Sequence, residues 1–319
     1  MGEKQQSERR ESRATANSSG KTVMKSHRLF QYSAENQPRA WLFLLPALVL
    51  IGVFNVFPLI RIFVMSLQAG TMLHQHFAGL SNFLFVFSDP EFRQSIANTA
   101  LFALIVVPVG LVLSMAVAIA INGKLRGRKF FEVLFFIPYL TSVIAIGIVF
   151  RYLFNGDYGF INYILGLVGL GPYDFLNNPD LNMPTLIIFG IWSSMAFNII
   201  ILLSGLRGIN KEYYKVADMF GTTPWECFRR ITLPQMVPIL TFLSIVDFIN
   251  SFKVYTEVYA LFNGKAGIGD RATTAVFYVF NKFYGEGKYG QGMAAAVVLF
   301  IVILIFTIIQ NIVLRRLSK

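Results

Sequence analysis

Six long apolar stretches run through the chain, at roughly 41–63, 96–121, 131–154, 185–206, 236–262 and 291–314. Each supplies the ~20 residues that a helix needs to cross a ~30 Å hydrocarbon core. Lipid gives an unpaired backbone group no partner, so these segments are predicted to be helices. Pro46, Pro58, Pro108 and Pro138 lie inside or near them, where neighbouring helices can repair the lost bond. Residues 1–39 differ, with eight Lys/Arg and four Glu among Ser, Gln, Asn and Thr. That segment has too little apolar surface to offset the entropy of ordering and reads as a disordered tail. The first apolar run starts only at Trp41, without a small-residue cleavage site behind it, so a signal peptide is not expected. The expectation is an all-α membrane protein, with a tail at 1–39 and one six-span domain at 40–319.

Composition agrees with the pattern. Hydrophobic residues make up 55% and charged residues 14%, against about 25% charged in a soluble domain. Mean hydropathy is +0.57. These values exclude a soluble enzyme and a disordered protein. The net charge of +11 would otherwise invite a nucleic-acid reading, but its distribution explains it. Twenty Lys/Arg fall in the tail, in loops 122–130 and 207–235 and at the end of the chain; five fall in the opposite loops. Such a bias puts both termini in the cytoplasm and turns loops 64–95, 155–183 and 263–290 outward. Cys227 is the single cysteine, so the chain forms no internal disulfide.

The loop at about 209–235 carries the most information. Lys211 to Phe220 suits a short helix, which Gly221 can end in the left-handed conformation. Thr223, Pro224 and Glu226 then form a capping box that starts a second short helix. That helix is expected to stop at Leu233-Pro234, where the fifth span begins. The resulting helix–Gly–helix elbow offers Tyr213, Tyr214, Val216, Met219, Phe220, Trp225 and Phe228, a surface that should be buried against a partner or against its own bundle. A Cβ at Gly221 is expected both to strain the backbone and to push the two short helices apart.

Gly221, nine residues, Ile231, any residue, Leu233-Pro234 resembles the loop motif in permease subunits of binding-protein-dependent ABC importers. The flanks resemble the carbohydrate-uptake branch: Arg128-Lys-Phe-Phe-Glu-Val-Leu-Phe-Phe-Ile-Pro138-Tyr139, Phe154-Asn-Gly-Asp-Tyr-Gly159-Phe-Ile-Asn162, Ile191-Trp192 and Leu202-Leu-Ser-Gly205-Leu206. The likeness covers about residues 40–319. It implies the type I ABC importer permease fold, with six transmembrane helices and a cytoplasmic coupling loop, in a bacterial inner membrane. The implied partners are a second permease, two ATPase subunits, an extracytoplasmic solute-binding protein and a carbohydrate, with an oligosaccharide as the leading substrate. The implied ATPase-coupling residues are Glu212, Tyr214, Lys215, Ala217, Met219, Phe220, Gly221, Ile231, Leu233 and Pro234. One position departs from the family: Lys215 begins a Lys-Val-Ala run where Glu-Ala-Ala is usual, which leaves Glu212, one turn earlier, as a substitute. Nor is an Asp directly before Gly221.

The chain is expected to hold no ATP, Mg or other metal itself. Ser18-Ser-Gly20-Lys21-Thr22 mimics the end of a P-loop, but Thr15 replaces the first glycine and no strand precedes it. His74 and His76 alone make a poor metal site. ATP hydrolysis then belongs to a partner subunit, and this chain is not an enzyme.

The fifth stretch gives the substrate candidates. Asp247, Asn250, Ser251 and Val254 share one helical face, and polar groups in lipid should line a cavity or a helix interface. Tyr255 is adjacent, and Lys253 and Glu257 are four apart, where one helix would let them pair. The fourth stretch adds Trp192, Ser193, Ser194 and Asn198, and the third adds Tyr139, Thr141 and Ser142. Amides, hydroxyls and aromatic rings suit a sugar's hydroxyls and C–H faces; the competing reading is polar contact between helices. The expected substrate residues are Asn250, Ser251, Tyr255, Asp247, Trp192, Ser194 and Asn198. The rival functions are a secondary transporter, which needs no elbow, a permease for a polyol phosphate, and a membrane enzyme, which needs a catalytic cluster the sequence lacks.

Overall fold

The computed structural model describes residues 37–71, 74–123 and 126–317, with side chains over 41–71, 74–123 and 126–313. The expectations for residues 1–36, including Ser18 to Thr22, and for Lys124 and Lys319 lie outside the described residues. The chain divides after Ile60 into two units. Helix α1 (Gln37–Ile51) leads through a π turn (Gly52–Val56) into α2 (Phe57–Ser66), within which the second unit begins. The helix therefore starts inside the segment assigned to the tail. Together these pieces give an apolar run of 26 residues, Trp41–Ser66.

After α2 the second unit continues with a hairpin of β1 (Gln68–Gly70) and β2 (Gln75–Phe77), in which Ala69 pairs with His76. Helices follow: α3 (Ser81–Ser88), α4 (Pro90–Asn122), α5 (Arg128–Leu140), α6 (Val143–Leu153), α7 (Phe160–Leu167), α8 (Pro179–Gly208), α9 (Lys211–Met219), α10 (Pro224–Cys227), α11 (Leu233–Phe252), α12 (Thr256–Leu261), α13 (Ala275–Phe280) and α14 (Tyr289–Leu317). The two longest, α4 and α8, start on the same device. Asp89 and Asn178 each accept the backbone N–H two residues on, with Pro90 or Pro179 first in the helix and an acid second. These two helices pack along their length because small residues let them approach. A Cβ at Gly190 would strike the Phe102 ring, and one at Gly110 would meet Ser194 Oγ at 2.8 Å.

Among the described residues five helical runs are long and apolar enough to cross a membrane, or six if a bent pair counts as one span. The bent pair is the third predicted stretch. It is not one straight helix: α5 and α6 meet at 105°. Pro138 sits in the last turn of α5, and Thr141 turns extended, capping the end through its N–H to Pro138 O at 3.2 Å and its hydroxyl to Ile137 O at 2.9 Å. The fifth stretch also differs from expectation. Its helix ends at Phe252, ten residues before the predicted limit. Val254 leaves the helix with its carbonyl held by the Thr274 hydroxyl at 2.7 Å, and α12 begins anew.

At the mouth between α4 and α14, a buried lysine gathers three acids. Lys282 is 5% exposed and lies 2.7 Å from Glu286, 3.0 Å from Glu91 and 3.6 Å from Asp89. Tyr278 donates to Asp89 at 2.7 Å. Burial pushes the Asp89 carboxyl up, but the hydrogen bonds from Tyr278 and the Glu91 N–H, with the Lys282 charge, hold it below its ordinary value. Glu286 is likewise held low, against its burial, by Lys282 and Lys288. A lowered carboxylate stabilises the fold above its ordinary pKa, and that contribution is lost as pH falls through the lowered value. Lys282→Met leaves these acids without their shared cation. It should cost on the order of 3 kcal/mol at pH 7, read as thermal unfolding in detergent, and the deficit should shrink below about pH 4. An equal deficit at both pH values would mean that packing, not charge, holds this cluster.

Candidate functional site

The elbow forms as two capped arms. Asn210 accepts the Glu212 N–H at 3.0 Å and starts α9. Gly221, at φ +68°, turns the chain out of the helix, and the Thr222 N–H and hydroxyl both donate to Ala217 O, at 3.1 and 2.7 Å. Thr223 and Glu226 make the reciprocal capping box, with Pro224 first in α10. A Cβ at Gly221 meets nothing within 4 Å. The expected clash between the arms is therefore absent, and glycine is required there by its φ alone.

The elbow's surface divides in two. Met219 and Phe220 stand 86% and 84% exposed, and Tyr213, Val216 and Trp225 are also exposed; Glu212 and Lys215 lie on the same open side. Tyr214 and Phe228 turn inward, against a core of Met115, Ala118, Leu202, Leu206, Ile209 and Met236. Tyr214 is pinned there by its hydroxyl, 2.9 Å from Thr232 Oγ. Ala217 is buried, Ile231 and Leu233 are half-buried and Pro234 is exposed. Of the coupling set, Tyr214 and Ala217 thus belong to the joint with the bundle rather than to its open face.

The second arm does not end at Leu233-Pro234, as expected. A π turn (Phe228–Thr232) joins α10 directly to α11, giving one continuous helix from Pro224 to Phe252. Its 29 residues extend about 43 Å at 1.5 Å per residue. Proline inside a helix removes a donor and clashes with the carbonyl four residues back. Here the widened turn, closed by Leu233 N–H to Phe228 O, comes immediately before Pro234 and absorbs the defect. The π turn before Pro58 has the same offset, closed by Phe57 N–H to Gly52 O.

The far end of that helix forms one wall of a cavity of about 540 Å³. Asp247, Asn250 and Ser251 line it from α11, and Ser193, Ser194 and Phe197 from α8. Pro138, Tyr139 and Thr141 enter at the α5–α6 bend, and Phe102 and Val106 close it from α4. Tyr139 stacks on Phe197 with ring centroids 5.6 Å apart. Asn198 lies behind the wall, fully buried, and its amide N–H donates to Asp247 Oδ2 at 2.7 Å. The other amide atom, Oδ1, has no partner.

Two expected substrate residues lie elsewhere. Tyr255 packs among Phe280, Phe277 and Tyr259, and Trp192 lies on the Phe150 ring at 5.0 Å. Neither lines the cavity. Lys253, Thr256 and Glu257 do line it, although none is among the expected substrate residues. Lys253 caps α11 and Glu257 lies in α12, so they are not one turn apart on one helix, and no ion pair joins them among the described residues. The helix break that moves them was hidden in an unbroken apolar run.

Comparison with known proteins decides the family. Residues 107–319 match the model of the binding-protein-dependent transport system inner membrane component. The chain belongs to this family. As a member it is a multi-pass inner-membrane permease and not an enzyme. It is 32% identical to the arabinooligosaccharides transport system permease protein AraP of Bacillus subtilis, over 88% of each chain. It is 30% identical to the lactose transport system permease protein LacF of Rhizobium radiobacter, over 83% of this chain and 91% of the relative. The trehalose/maltose transport system permease protein MalF of Thermococcus litoralis is also 30% identical, over 84% and 91%. The fold is shared with a chain of a bacterial ABC transporter that imports the acidic polysaccharide alginate, at a TM-score of 0.78 and 24% identity, covering 89% of this permease and 99% of that chain.

The open space at Gly221 separates two costs. Gly221→Ala should weaken the joint only by the cost of a non-Gly residue at positive φ, roughly 1 kcal/mol, and Gly221→Gln, which is unbranched at Cβ, should add little more. Thermal unfolding of the purified permease with its partners checks this. A Gln variant several kcal/mol worse than Ala would mean that the elbow is packed closely against another subunit at this point.

Proposed function

We propose that this permease carries a carbohydrate across the inner membrane as the membrane subunit of an ATP-driven importer. The observation that carries the reading is the continuous helix from Pro224 to Phe252, with the elbow at one end and the cavity residues Asp247, Asn250 and Ser251 at the other. The exposed apolar side chains of the elbow, Met219, Phe220 and Trp225, enter a groove on an ATPase subunit. ATP and Mg bind that partner, and its closure moves the elbow. The helix transmits the movement to the cavity, which opens to one side and then the other. A secondary transporter would have no use for such an arm.

In this reading α5 and α6 count as one broken span, so the chain has six. The charge bias puts the elbow and both termini in the cytoplasm. A second permease completes the pathway, and the binding protein delivers substrate at the outer face. The relatives' names, which include lactose, trehalose/maltose and arabinooligosaccharides, favour a sugar, and the cavity's chemistry agrees. Asn250, Ser251, Ser193, Ser194 and Thr141 offer hydrogen bonds to hydroxyls. Tyr139 and Phe197 offer a stacked platform for a sugar face. Asp247, steadied by Asn198, is an acceptor for a pair of hydroxyls. Lys215 takes the place of the family's Glu at the ATPase contact, with Glu212 one turn behind it.

Asn250→Ala with Ser251→Ala should lower uptake of the cognate sugar a few-fold to about tenfold, since a hydrogen bond contributes about 0.5–1.5 kcal/mol net. Assembly and basal ATP hydrolysis should persist. Unchanged uptake in the double variant would return this face to a purely structural role. Orientation has its own check: in a Cys227-free background, a cysteine at Met219 should resist impermeant thiol reagents in intact cells, and one at Tyr158 should react. Labelling of Met219 from outside would invert the assignment.

A further inference from the structure

A second cavity, of about 520 Å³, opens where α4 ends and α5, α8 and α9 meet. Its polar lining is Asn122, Arg128, Arg207 and Lys211, with Tyr214 beside them. Among the described residues one carboxylate pairs with two of these three cations: Glu132, which bonds Arg128 Nε at 3.1 Å and also Arg207 Nη2. A single acid shared by two arginines leaves the site with an excess of positive charge and with guanidinium donors still free, since each arginine carries five. Arg128 is the first residue of α5, a helix whose N-cap, Gly127, offers no side-chain acceptor, so the positive end of that helix lies at the same place. Directly above, no residue of α5 is buried, and Phe130, Val133, Leu134 and Ile137 are exposed along it. A cationic recess under an apolar helix face matches a molecule with an anionic head and a hydrocarbon tail.

We propose that this recess binds the phosphate of an anionic lipid headgroup at the inner leaflet, with the acyl chains along α5. Arginine forks suit phosphate oxygens, and basic pockets between membrane helices on the cytoplasmic side are of the kind that hold such headgroups. The leaflet follows from the orientation proposed above. Because Lys211 and Tyr214 open the first arm of the elbow, the bound phosphate steadies the joint through which ATPase movement passes. The site would make transport sensitive to the anionic lipid content of the membrane.

The test uses the complete importer, purified from membranes and placed in nanodiscs of phosphatidylcholine containing a minor fraction of phosphatidylglycerol. Native mass spectrometry after mild detergent release counts retained phosphatidylglycerol and needs neither transport nor ATP hydrolysis, so failure here is distinct from failure of the importer reading. Removing one cationic charge near the surface should lower lipid occupancy about fivefold. Arg128→Gln with Arg207→Gln should therefore lower specific retention roughly 25-fold. Glu132→Gln breaks the same ion pairs but raises the positive charge, so it should increase retention. The opposite signs separate lipid binding from misfolding, which would lower retention in both variants and overturn the proposal. Retention that survives millimolar inorganic phosphate supports the headgroup assignment. Displacement by inorganic phosphate with no lipid retained would assign the recess to the free ion. Loss of the ATPase subunits from the arginine variant, with lipid retention unchanged, would assign these arginines to a protein contact and overturn the proposal.

Discussion

Every backbone N–H and C=O taken out of water, whether by lipid or by packed protein, needs a partner from the protein. The departures from regular helix follow from that demand. Where α11 ends, Val254 O is taken by the Thr274 hydroxyl. The segment that returns toward α13 is held by α4: the Asn98 amide donates to Arg271 O and Thr273 O, both at 2.9 Å, and Thr99 Oγ accepts the Ala275 N–H at 2.8 Å. On α8, Asn182 donates to Leu176 O and accepts the Ile268 N–H, each at 2.8 Å. Four Asn and Thr side chains thus replace missing helix bonds, and three of them are fully buried. Without them the irregular stretch from Lys253 to Thr274 would leave several polar groups unpaired, each costing roughly 1–3 kcal/mol.

The same demand shapes the mechanical path. A proline at residue 234 would ordinarily interrupt the helix and separate the elbow from the span. The π turn from Phe228 to Thr232 accommodates it instead, so the second arm and the cavity wall are one rod. The rod stops at Phe252, and the chain that follows brings Lys253, Thr256 and Glu257 into the cavity. An uninterrupted helix would have carried Glu257 another turn along the axis. A closely fitted contact of α4 with α8, through Gly190 and Gly110, gives this rod a firm surface to move against.

Much of this was legible in the residues. Thr223-Pro224-x-Glu226 and Gly221 announced both caps of the elbow, because capping chemistry is local and depends on few positions. Asp247, Asn250 and Ser251 announced a shared face, because helical spacing is fixed. What the pattern hid was tertiary. The end of α11 depends on Thr274, twenty residues away, and hydropathy carries no trace of that bond. The bend at Thr141 falls within a stretch whose apolar content is continuous. Trp192 and Tyr255 were chosen for their chemistry, but aromatic neighbours claimed both. Tyr214 was grouped with the exposed side chains of its helix, yet its partner, Thr232, comes from the other arm.

On the proposed mechanism the elbow and α11 move as one body against α6, whose Val143 and Ile146 line the cavity. Pulsed dipolar spectroscopy on the assembled importer tests this, with spin labels at the native Cys227 on α10 and at the exposed positions Phe242 on α11 and Ile144 on α6. On adding ATP and the sugar-loaded binding protein, the Cys227–Phe242 distance should stay constant while the Phe242–Ile144 distance shifts. A change in the first distance with none in the second would contradict the account, because the rod would then bend at its π turn and leave the cavity unmoved.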